Sequence, residues 1–138
     1  MTGFIQSRIK NTRSLSVQNK STGVATTANY LYDLVGGLLV AATASSTRAT
    51  IAGVANQTVT AAEALSQALC IDIDSEDEWV VDSTNNSDPL HNGQAMIMGA
   101  NAYTVNNTGT TSAVGVVVQV GTFGAAADKK IIVSFINA

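Results

Sequence analysis

The sequence predicts an all-β fold: a single compact β-barrel or β-sandwich with an extended N-terminal arm and at most one short helix. Three observations carry that expectation. From Tyr30 onward the chain is a series of short apolar runs separated by Gly and Asn turn signals. β-Branched runs such as Val116-Val117-Val118 disfavour helix, because they lose side-chain freedom against the preceding turn. A chain of 138 residues supports one core of ordinary domain size.

Residues 1–22 read as the arm and 23–138 as the body. The arm is polar and basic, with Phe4, Ile5, Ile9, Leu15 and Val17 scattered through it and no strong period. Such a segment gains order by lying on a partner, or else forms an edge strand of the body. The body's candidate strands are 38–42, 50–55, 68–73, 78–82, 94–98, 103–105, 113–120 and 130–136. Gly36-Gly37, Asn85-Asn86, Asn92-Gly93, 106–109, Gly121 and Gly124 punctuate them. Several runs are almost continuously apolar, which predicts strands covered on both faces or lying in a subunit interface. The one helical candidate is 60–68, where Thr60 and Glu63 stand in capping-box register. A weak echo links the runs 37–40, 51–54 and 70–73 to the runs 93–96, 114–117 and 131–133, as two related half-barrels would.

Composition narrows the function. Apolar residues are 46% of the chain, yet aromatics are 5% and charged residues 12%, about half the usual charged share. A surface of Thr, Asn and Ser loses little on burial against a neighbour, because few full charges are desolvated. That points to an assembly component. Residues 1–50 carry Arg8, Lys10, Arg13, Lys20 and Arg48 against Asp33, whereas Glu63 to Asp88 hold eight acids and no base. Four cations over the first twenty residues without interleaved aromatics, on a chain of pI about 4.8, argue against a nucleic-acid partner. The longest apolar stretch, 34–42, is far short of the roughly 20 residues of a membrane helix, so no membrane partner is expected. The first ten residues lack the apolar core of a signal peptide.

Chemistry is sparse. His91 is the sole histidine and stands in a turn, with no nucleophile elbow elsewhere to pair with it. The single cysteine, Cys70, lies in the apolar run Leu69-Cys70-Ile71 and reads as a small buried hydrophobe. In Asp72-Ile73-Asp74-Ser75-Glu76-Asp77-Glu78 an EF-hand register would put Asp77 where glycine is needed and Ser83 where glutamate is needed. The segment reads instead as a charged hairpin tip. Trp79 reads as core or subunit interface. Gly121-Thr122-Phe123-Gly124 is too short to cradle phosphate, and zinc would need more Cys and His. No catalytic residue, metal or cofactor is therefore expected, and no enzyme.

The stretch 78–87, with His91-Asn92-Gly93-Gln94-Ala95-Met96, Thr104-Val105-Asn106-Asn107-Thr108-Gly109-Thr110, 114–120 and Asp128-Lys129-Lys130, resembles the small capsid decoration, or cement, proteins of tailed bacteriophages. The resemblance covers residues 30–138 and rests on the run of the sequence, without an invariant motif. It implies a tulip-like body on the outer surface of the virion capsid, commonly a homotrimer, that clamps neighbouring major capsid protein subunits. In that setting Phe4, Ile5 and Leu15 would seat in shallow apolar pockets and Arg8, Lys10 and Arg13 would meet acidic or carbonyl groups. A carbohydrate- or receptor-binding module would need an exposed platform from Trp79, Tyr30, Tyr32 or Tyr103. A shell or tail-tube subunit would polymerise unaided.

Overall fold

The structure, a computed structural model, describes residues 3–8, 14–18, 25–36, 38–59, 67–72, 77–83, 92–106, 113–120 and 130–135, with 14–18 and 67–72 described as backbone. The described residues form eleven strands and no helix: β1 Ile5–Arg8, β2 Ser14–Gln18, β3 Leu31–Val35, β4 Leu38–Ala41, β5 Ile51–Ala55, β6 Gln67–Asp72, β7 Glu78–Ser83, β8 Ala95–Met98, β9 Thr104–Asn106, β10 Gly115–Val120 and β11 Lys130–Ser134. The protein is all-β.

The strands sort into a closed barrel and a second sheet. In the barrel the order β7-β11-β10-β8-β9 returns to β7. Every step is antiparallel except the closing one, where β9 runs parallel to β7 through Asp82↔Thr104 and Ser83↔Val105. A strand has two edges, and β11 takes one edge of β7 along its length. The other is shared: β9 takes its end, and β1 its beginning through Ile5↔Val80, Gln6↔Trp79 and Arg8↔Glu78. The second sheet, in the order β2-β6-β5-β3-β4, is antiparallel throughout.

One core joins the two sheets. Trp79 and Val81 of β7, Met96 and Met98 of β8, and Ile131 and Val133 of β11 meet Leu31 of β3 and Val54 of β5. Phe4 fills the junction, with its ring centroid 5.4 Å from that of Phe135, which in turn lies 6.3 Å from Trp79. Alternation explains the barrel walls: on β7 Trp79, Val81 and Ser83 are buried while Val80 and Asp82 are partly exposed. β11 departs from it, since Ile131, Ile132 and Val133 are all buried, as a continuously apolar run predicts. β10 is covered on one face only, with Val117 buried and Val118 exposed.

All eight candidate strands of the body are present. The helical candidate at 60–68 lies largely outside the described residues, and its last two positions, Gln67 and Ala68, open β6. The acidic segment is not a hairpin tip: it leads from β6 in the second sheet to β7 in the barrel, and Asp77 at its end is fully buried. The described parts of the expected arm, 3–8 and 14–18, are edge strands, β1 on the barrel and β2 on the second sheet. Two halves of the sequence echo part company by sheet. The first series supplies β4, β5 and β6, and the second supplies β8, β10 and β11.

Candidate functional site

Among the described residues, three of the four exposed large hydrophobics, Leu34, Val35 and Val40, lie on the hairpin of β3 and β4. Val35 pairs with Leu38, so the loop between them is Gly36-Gly37, and Gly36 adopts φ +59°. Two-residue hairpin loops need positive φ, which glycine takes without strain. The hairpin's two halves differ sharply. At its root Leu31 and Tyr32, on opposite faces of β3, are both buried; toward its tip Leu34 and Val35, again on opposite faces, are 45% and 57% exposed. Val40 across the hairpin is 44% exposed. An antiparallel strand half-covered on one face would alternate. Here the exposed residues next to the turn are aliphatic on both faces of β3, while Leu39, opposite Leu34, is buried.

The root is firmly held. Tyr32 is buried with Ala55 and with Leu39, the residue paired with Leu34, in a small second cluster. The Tyr32 hydroxyl accepts a hydrogen bond from the Thr27 N–H at 2.8 Å. Asp33 sits mid-strand, where its carboxylate accepts hydrogen bonds from the hydroxyls of Ser46 (2.6 Å) and Thr50 (3.4 Å). The Leu34 N–H donates to the Thr50 carbonyl at 3.2 Å. The tip is thus an apolar ledge on a fixed base. Full burial of each exposed aliphatic side chain would release about 1.5–3 kcal/mol, less the share already covered.

Of the residues expected to grip a partner from the arm, Phe4 and Ile5 have described side chains. Phe4 is fully buried in the protein's own core, and its N–H donates to the Asn29 carbonyl at 2.7 Å, so it is not an anchor for a foreign pocket. A phenylalanine with nothing around it in sequence to mark a period gives no sign of which surface it serves. Ile5 is partly exposed on β1. Arg8 ends β1 opposite Glu78, and Leu15 of β2 pairs with Cys70 of β6; the side chains of these two strand positions lie outside the description. Lys10 and Arg13 lie outside the described residues, as does His91. Gln6, which the sequence did not single out, ties β1 down: its Nε2 donates to Asp77 Oδ2 at 2.7 Å.

The aromatic platform that sugar binding would need is dismantled in part. Trp79 and Tyr32 are buried, as the core reading of Trp79 expects. Tyr30 and Tyr103, 73 positions apart, come together at the surface with ring centroids 4.7 Å apart. Among the described residues no group of His, Cys, Asp and Glu is arranged to hold a metal ion. No helix among them is long and apolar enough to cross a membrane.

No family model and no curated protein matches the chain.

The ledge carried a signal in the sequence, since it lies in the longest apolar stretch, 34–42. Nothing there separates a buried strand pair from an exposed one. Both read as aliphatic residues about a Gly-Gly turn.

Proposed function

We propose that this protein is a structural component of a tailed-phage virion, a decoration protein that binds the outer capsid surface and ties neighbouring major capsid subunits together, acting as a homotrimer and transforming no substrate. The observation that carries this reading is the aliphatic ledge of Leu34, Val35 and Val40, held on a hydrogen-bonded base. Exposed aliphatic side chains on a rigid β-hairpin suit a fixed protein partner: burial is favourable and little conformational freedom is lost. The low charge content works in the same direction.

The contact set differs from that of a free arm. In this proposal the ledge seats in an apolar groove of the partner, and Phe4 stays in the core. Threefold repetition multiplies modest contacts, since linked copies act at high effective concentration.

Co-sedimentation with expanded capsids that lack the protein tests the reading. The intact chain is expected to pellet with them, and light scattering in solution to show a discrete trimer. A monomer with no affinity for such shells would end the proposal, and long unaided polymers would favour a tail-tube or shell subunit instead.

A further inference from the structure

We propose that the Tyr30–Tyr103 pair is a binding site for a neutral saccharide, independent of the apolar ledge. The two rings come from separate segments: Tyr30 from the turn before β3, Tyr103 from the turn between β8 and β9. The backbone fastens those segments together, with the Leu31 N–H donating to the Ala102 carbonyl at 2.8 Å. The rings are tilted by 40° and partly exposed, and Tyr30 also packs on both apolar clusters, so the pair is fixed from beneath. That packing accounts for the rings but not for the polar groups around them. Neither phenol hydroxyl has a hydrogen-bond partner among the described residues.

Two amides flank the rings in sequence. Asn101 uses its Oδ1 twice, accepting from the Tyr103 N–H at 3.3 Å and from the Thr104 hydroxyl at 2.9 Å, which leaves its Nδ2 without an acceptor among the described residues. Asn29, beside Tyr30, is held at φ +72°, and its side-chain amide makes no hydrogen bond among the described residues. Aromatic faces offer the C–H side of a sugar a flat apolar contact, while hydroxyls and amides answer its hydroxyls. The segments that supply the patch, 25–32 and 92–106, contain no charged residue. An uncharged site of this kind favours a neutral sugar over a sialylated or sulfated one, and over nucleic acid, whose phosphates call for cations.

The chain has three tyrosines, so full-length protein carrying 3-fluorotyrosine gives three fluorine resonances, assigned by single Tyr→Phe changes. Titration with maltotriose, lactose and chitotriose is expected to move the Tyr30 and Tyr103 resonances together with one of these sugars and leave that of buried Tyr32 in place. Tyr103→Phe is expected to weaken binding about threefold by loss of the hydroxyl, and Tyr103→Ala at least about tenfold. Should Tyr103→Ala fail to fold, the shifts in the unsubstituted chain decide. Absence of any shift up to saturating sugar, or shifts with sialyllactose alone, would overturn the proposal.

Discussion

Trp79 sits in the middle of the core with its indole N–H finding no acceptor among the described residues. A buried donor left unpaired costs about 1–3 kcal/mol. Trp79→Phe removes that donor along with part of the ring, so the two effects oppose each other. Chemical denaturation is expected to show a loss well below the roughly 3–5 kcal/mol of Trp79→Ala, which leaves a large cavity. Gly3 is a second position where one atom decides. At φ +107°, an added Cβ would clash with the Asn29 carbonyl oxygen, the acceptor of the Phe4 N–H. Gly3→Ala is therefore expected to lower stability by about 1–3 kcal/mol, read as a fall in melting temperature. Trp79 was legible as core because a large apolar side chain stood in a strand pattern. Phe4 was not, because the partner that covers it, Phe135, lies at the far end of the sequence.

At the scale of elements, strands were legible where the apolar run was unbroken and illegible where a polar residue interrupted it. β3 is the clearest case. Asp33 stands in its middle, and only the hydroxyls of Ser46 and Thr50, more than ten residues on, make a carboxylate acceptable there. β1 and β2 were legible as edge strands or an arm, and their pairing with β7 and β6 depends on residues 49 to 75 positions away. Removing residues 1–8 takes away β1, the Gln6–Asp77 hydrogen bond and the Phe4 ring together. That truncation is expected to unfold the barrel or cost at least about 3–5 kcal/mol, in contrast to the loss of a dispensable tail. Intact folding in urea, with an unchanged midpoint, would show β1 to be an ornament. The ledge behaves oppositely. Val35→Lys and Val40→Lys alter exposed side chains and are expected to stay within about 0.5 kcal/mol of the parent. In capsid co-sedimentation the pair is expected to reduce binding at least about tenfold, the size of effect that losing one buried aliphatic contact produces.

For the whole molecule, fold class came from local pattern and topology did not. Turn signals and β-branched runs mark strands wherever they occur. They do not say that β9 will close the barrel by pairing parallel with β7, because both neighbours of a strand are chosen by the entire core. The candidate site divides in the same way: the aliphatic stretch was visible, whereas the exposure of Leu34, Val35 and Val40 depends on what the rest of the core covers. A fold made of such distant pairings is expected to refold in milliseconds to seconds, slower than a helical protein of equal size, when stopped-flow tryptophan fluorescence follows Trp79.

The shared edge of β7 has a consequence for how the protein is made. During synthesis β1 emerges first, yet its seat on Glu78–Val80 does not exist until β7 has followed, and the cover of Phe4 waits for Phe135. An early aromatic thus stays unprotected while the ribosome completes more than a hundred further residues. A product halted before residue 130 never acquires β11, leaving one whole side of β7 bare. Incomplete chains would therefore remain open to proteases, and only molecules that have made β11 can complete the barrel and cover Phe4.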